Sequence, residues 1–204
     1  MATGFAVPEK SRPGDALRDT LLVVLTFVLA MAAAWGMKSY VEQRSVRYTA
    51  AGGSLTLAYP AGWLAARADK GILLDVSDGK AGAAFHPRFS ARSEPIGENV
   101  ALREAAGLQS LRRSTSLREY HELSSREVTV SGNRGIEVTY AYVTDPPAGA
   151  GPATLPIVVE AADVQVLTAG KLYLFTAASE AGDAAAYAPV FARILASVQL
   201  RSTL

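Results

Sequence analysis

SSREVTVSGNRGIEVTYAYV, residues 124–143, holds two strand-like runs joined by a turn. SSREVTV (124–130) and GIEVTYAYV (135–143) flank SGNR (131–134), whose residues suit a hairpin. Downstream the pattern repeats: PIVVEAADVQVLT (156–168) and KLYLFTAA (171–178) meet through AGK (169–171), so these strands are expected to form an antiparallel meander. Upstream, SLTLAYP (54–60) alternates, with Leu55, Leu57 and Tyr59 on one face and Ser54, Thr56 and Ala58 on the other. Pro60 and Gly62 end that strand, and Trp63 follows in the turn. GILLDV (71–76) and AAFHPRFSA (83–91) are two more strand-like runs. TDPPAGAGPAT (144–154) is too poor in bulky groups to pack and reads as a loop.

Two helices accompany the strands. The first is expected over Asn99–Ser114, with Leu102, Ala105, Leu108 and Leu111 at near-helical spacing and Asn99 as its cap. The second follows Asp183, where Tyr187, Val190, Ile194, Leu195 and Val198 make a stripe for packing on a sheet. Pro189 interrupts that stripe and costs about 3 kcal/mol in a helix interior. The regular part is therefore expected to begin near Ala188. The fold class is α+β, an antiparallel sheet flanked by helices.

TLLVVLTFVLAMAAAWGM, residues 20–37, contains no charge and is bounded by Arg18, Asp19 and Lys38. At 1.5 Å per residue it covers about 27 Å, close to a hydrocarbon core. One transmembrane helix at 20–40 is expected, after a tail at 1–19 and before a linker at 41–53 and a soluble domain at 54–204. The alternative, a cleaved signal peptide using Ala30, Ala32, Ala33 and Ala34, fits the long polar lead less well. Flanking charge does not orient the span: Lys10, Arg12 and Arg18 precede it, and Lys38, Arg44 and Arg47 follow. Trp35 and Tyr40 suit an interface. Ala30 with Ala34, and Ala32 with Gly36, align small residues along a face another helix can approach.

Composition excludes several classes. The 20 Lys and Arg nearly balance 19 Asp and Glu, so no overall field invites nucleic acid. Cysteine is absent, which removes disulfides, thiolate nucleophiles and cysteine-ligated metals. The histidines, His86 and His121, lack metal-ligand spacing. No serine-nucleophile elbow or phosphate-binding loop is present. Asp75 and Asp78 flank a turn, where acidic residues are ordinary. Neither a catalytic residue, a cofactor site nor a metal site is expected. Arg103, Arg112, Arg113 and Arg118 lie along and after the first helix. They form either a solvated face or a docking patch for an acidic partner or lipid headgroups.

LTLAYPAGW (55–63), GKLYLFTAASE (170–180) and FARILASV (191–198) resemble the PsbP-like family, the extrinsic proteins of photosystem II and their bacterial relatives, over about residues 48–200. Tyr59, Pro60, Trp63, Tyr173 and Ser197 match positions that shape core and turns. The resemblance implies an α-β-α sandwich in a lumen or periplasm, working as a non-enzymatic accessory of a membrane assembly. A retained span stands in place of the plant transit peptide. The setting so implied is a bacterial-type inner membrane, with the N-terminus cytoplasmic and the C-terminal domain periplasmic. The expected partners are integral membrane subunits and an extracytoplasmic subunit of a photosynthetic complex, or next a respiratory one. The competing reading is a tethered binding protein for a small apolar or pigment-like ligand, lined by Trp63, Tyr140 and Tyr173.

Overall fold

A computed structural model describes residues 13–42, 44–66, 71–79, 84–97, 100–146 and 155–201. The chain divides into two units, Met1–Arg44 and Ser45–Leu204.

In the first unit, helix α1 runs over Pro13–Glu42, beyond the expected span at both ends. Its side chains are described from Thr20 to Trp35, and all of them are exposed. Ala30, Ala32 and Ala34 are among these, and Trp35 is 76% exposed. For Gly36 and Tyr40 only the helical backbone is described. The hydroxyl of Thr26 donates to the Leu22 carbonyl at 2.7 Å, satisfying a polar group within its own helix. Among the described residues, no helix is long and apolar enough to cross a membrane. Lys10 and Arg12 lie outside the described residues.

The second unit contains two antiparallel sheets. Strands β1 (Ser45–Thr49), β2 (Leu55–Pro60) and β10 (Gln199–Leu200) make the smaller, in the order β1-β2-β10. The larger has the order β3-β4-β5-β9-β8-β7-β6. Its members are β3 (Leu64–Ala65), β4 (Ile72–Ser77), β5 (Arg88–Pro95), β6 (Arg118–Val130), β7 (Asn133–Thr144), β8 (Ile157–Thr168) and β9 (Lys171–Glu180). The meander is present, since β6, β7, β8 and β9 are consecutive neighbours.

Three boundaries differ from the sequence expectation for local reasons. The 41–53 linker contains the end of α1 and strand β1, which pairs with β2 from Ser45↔Pro60 to Thr49↔Thr56. Only Tyr48 of β1 is even partly buried, so no alternation marks this strand. β5 begins at Arg88, leaving His86 and Pro87 before it. β6 reaches back to Arg118 as an edge strand with two register shifts and little burial.

Helix α2 spans Leu102–Ser116, with Ala101 at its N-cap; Asn99 lies outside the described residues. Ala105 and Ala106 are buried, whereas Leu108 and Leu111 are 49% and 60% exposed. Residues three apart drift about 60° per step around an α-helix, so a strict stride of three leaves the buried face within two turns. Helix α3 spans Ala184–Ala196 and begins four residues before the expected Ala188. Pro189 is inside it and exposed, so the Ala185 carbonyl it leaves unbonded is open to water.

The larger sheet is covered on both faces. On one, α3 and the smaller sheet enclose Leu55, Leu57, Val76, Phe89, Val164, Val166, Tyr173, Phe175 and Ile194. Trp63 packs edge-on against Phe191 at 6.0 Å between centroids. On the other, Ala106 of α2 packs over Ile136, Val138, Tyr140, Val159, Ala161 and Ala178.

Candidate functional site

The two sheet faces carry different chemistry. The α3 side is an apolar core, and it contains Trp63 and Tyr173. Tyr140 belongs to the opposite cluster, so these three aromatics do not line one cleft. Polar groups concentrate on the α2 side.

Strand alternation explains how they meet. In RFSAR of β5, Arg88, Ser90 and Arg92 share a face because successive side chains alternate. Ser90 is opposite Thr176 of β9, which is opposite Asp163 of β8, which is opposite Val138 of β7. This row sets a hydroxyl and a carboxylate beside the Tyr140 and Tyr142 rings. Arg113 then descends from α2 onto Asp163.

Asp163 is 2% exposed, and a bare carboxylate there would be costly. Arg113 Nε donates to its Oδ2 at 2.8 Å and Nη2 to its Oδ1 at 3.0 Å. Thr176 donates to Oδ1 at 2.6 Å and Tyr140 at 3.2 Å. The Arg113 guanidinium also lies 5.7 Å from the Tyr140 ring centroid. Burial works against the Arg113 charge, but hydrogen bonding to Asp163 and the charge of that residue outweigh it, so its pKa is raised. Burial first, and the Asp163 charge second, push the Tyr140 phenol well above the usual value.

A second ion pair flanks the first. Asp75 is not an ordinary turn residue: it sits on β4, 7% exposed, and accepts from both Nε and Nη2 of Arg88. This bond raises the Arg88 pKa despite partial burial. Arg88, Arg92 and Arg113, with Ser90, Thr176, Tyr140 and Tyr142, surround a hollow of about 130 Å³. Phe85, Leu117 and Ala178 complete its wall.

A larger groove of about 480 Å³ lies between α2 and strands β6 and β7. Ala106, Gly107, Ile136 and Val138 form apolar surface there, and Arg103, Arg126, Glu122 and Glu127 supply charge of both signs. Arg103 pairs with Glu127 at 3.3 Å, and Ser110 donates to Glu122 at 3.1 Å. Hydrogen bonds from Arg134 and then Arg103 lower the Glu127 pKa.

The four arginines singled out from sequence separate into two environments. Arg103, Arg112 and Arg118 are exposed and paired with Glu127, Glu94 and Asp145. Arg113 is turned inward onto Asp163, with its side chain 23% exposed. Arg88, Arg92 and Asp163 were not singled out, although polar residues two apart within strand-like runs mark a face needing partners. His86 precedes β5 and His121 lies on β6, four strand positions away, about 19 Å at ordinary strand spacing. Among the described residues, no three His, Asp or Glu side chains gather as a metal-binding group.

No protein-family description matches the sequence, and no curated protein matches it. Solved structures do match in three dimensions. Cyanobacterial PsbP (CyanoP) from Synechocystis has 15% identity and a TM-score of 0.56, covering 77% of this chain and 92% of that one. Protein PA94 from Pseudomonas aeruginosa, of unknown function, has 12% identity and a TM-score of 0.55, covering 78% and 99%. The Ran-binding protein Mog1p from Saccharomyces cerevisiae has 11% identity and a TM-score of 0.53, covering 77% and 95%. Antiparallel sheets flanked by helices, in the arrangement these structures share, make this the PsbP/Mog1-like fold.

Proposed function

We propose that the chain is a membrane-tethered, non-catalytic accessory subunit whose PsbP/Mog1-like unit docks on a larger membrane complex. The observation that carries this reading is the surface of α1. Leu21, Leu22, Val23, Val24 and Leu25 are consecutive and each at least 54% exposed, and Phe27, Val28, Leu29 and Met31 continue the series. Five consecutive helical residues point in every direction around the axis, so no single packed face buries them. Such a surface calls for apolar surroundings on all sides, which a bilayer and neighbouring spans supply. The uncharged run continues to Met37, and the Ala30, Ala32, Ala34 and Gly36 face favours close approach of another helix.

Docking fits the rest of the molecule better than catalysis does. The buried carboxylates Asp75 and Asp163 of the second unit are engaged in structural ion pairs, and the fold occurs in proteins of unlike description, one of them Ran-binding. In this reading Arg103, Arg112 and Arg118, exposed beside acidic residues, belong to a charged surface that selects a partner. The PsbP resemblance favours a photosynthetic assembly in an inner membrane with the domain outside the cytoplasm, and a respiratory assembly next.

Extraction in mild detergent followed by native separation is expected to place the chain in a large assembly. Recovery from the aqueous phase without detergent would overturn the tether, and migration as a free monomer would overturn the docking.

A further inference from the structure

The hollow bounded by Arg88, Arg92 and Arg113 has donors that its own carboxylates do not use. Asp75 engages Nε and Nη2 of Arg88, and Asp163 engages Nε and Nη2 of Arg113. Among the described residues, the Nη1 group of each guanidinium has no partner, and Arg92 has none at any nitrogen. The Tyr142 hydroxyl likewise has no partner among the described residues. Buried carboxylates thus hold two guanidinium forks in fixed orientation while half of each fork remains available, a preorganised donor set.

Charge and size narrow what fits. Three arginines against Asp75 and Asp163 leave one net positive charge at the hollow, which one monovalent anion neutralises. Guanidinium forks match a planar carboxylate. A drug-sized ligand takes about 300–1,000 Å³, so about 130 Å³ admits only a small group. Phe85, Leu117 and Ala178 give that group an apolar wall.

We propose that this hollow binds a small organic acid, with its carboxylate held by Arg92 and the free edges of Arg88 and Arg113, and its short carbon chain against Phe85 and Leu117. Tyr142 donates to the same carboxylate. Arg92 is exposed and outside the buried ion pairs, which makes it the residue that changes binding without disturbing the fold.

The test is titration of the full chain in detergent micelles with sodium acetate, propionate, phosphate and chloride at matched ionic strength, read by the arginine Nε–H signals in NMR. Acetate and propionate are expected to shift the Arg88 and Arg113 signals saturably, propionate at lower concentration. Arg92→Gln is expected to weaken propionate binding about tenfold or more, the usual effect of losing a charge-assisted hydrogen bond. Tyr142→Phe is expected to weaken it by less, and Arg112→Gln, at a residue that neighbours Arg113 on α2 but pairs with Glu94 of β5, to leave it unchanged. The proposal is overturned if the shifts fail to saturate or chloride reproduces them. It is equally overturned if phosphate binds more tightly than propionate, or if Arg112→Gln weakens binding as much as Arg92→Gln.

Discussion

Arg113 of α2 and Asp163 of β8 are joined by two parallel hydrogen bonds, 2.8 and 3.0 Å long, fifty residues apart in the chain. The pair fastens the helix to the middle of the sheet, because Asp163 also accepts from Thr176 on β9 and Tyr140 on β7. Removing one member leaves a buried charge without compensation. Arg113→Met is expected to destabilise the second unit by about 3–5 kcal/mol, and Arg113→Met with Asp163→Leu to recover most of the loss. Denaturant midpoints of the two variants check this. Equal losses in the single and double variants would mean that the helix contact, rather than the orphaned carboxylate, carries the energy.

Two glycines on opposite sides of the larger sheet are expected to respond oppositely to alanine. A Cβ on Gly135 would stand 2.9 Å from the Gln165 carbonyl and 3.2 Å from a Val166 methyl, so β7 approaches β8 as closely as it does only without a side chain. Gly135→Ala is expected to cost about 1–3 kcal/mol through overpacking. Gly107 is exposed within α2 with nothing in reach of a Cβ. Gly107→Ala is expected to stabilise by about 0.5–1 kcal/mol through helix propensity. Thermal unfolding of both variants measures the sign directly.

How legible each element was in the sequence follows from how its residues meet water. The meander strands β7, β8 and β9 were readable because apolar side chains and hairpin turns coincide there, and the α3 stripe at Tyr187, Val190, Ile194 and Leu195 packs as its spacing implied. β1 and the first half of β6 were not, because an exposed strand is held by backbone pairing and leaves no pattern in side chains. Leu108 and Leu111 misplaced the face of α2, which turns Ala105, Ala106 and the partly buried Leu102 inward together with Arg113. The site was less legible than the fold. Arg113 was singled out as one of a basic series, but a series cannot show which member turns inward. That depends on Asp163, fifty residues away, whose partners the chain order conceals.

Ser197 closes α3 and ties it to the smaller sheet. Its hydroxyl donates to the Ile194 carbonyl at 2.6 Å and accepts from the Ala58 amide of β2 at 2.8 Å. With Ser197→Ala the Ala58 amide loses its acceptor in a partly buried setting. The expected loss is about 1–2 kcal/mol, checked by the unfolding midpoint. Hydrogen exchange at Ala58 is expected to quicken more than at neighbouring β2 amides. Uniform quickening would show that the substitution loosens the whole unit.

Alkaline titration tests the tyrosines. Of eight in the chain, Tyr120, Tyr140, Tyr142 and Tyr187 have raised pKa values, with burial the leading cause in each. Tyr187 is pushed up to about 12, by burial and then by its hydrogen bond to Asp78. A folded-state pKa above the unfolded value of about 10 means that the native state holds the proton more tightly. The stability this provides is complete below pH of about 10 and is lost as pH rises towards 12. Phenolate absorbance is therefore expected to develop in two stages, the later one accompanied by unfolding. Tyr187→Phe is expected to remove one late phenol and flatten the fall of stability between those values. A single transition near the unfolded pKa, with the fold intact, would mean that these phenols meet water freely.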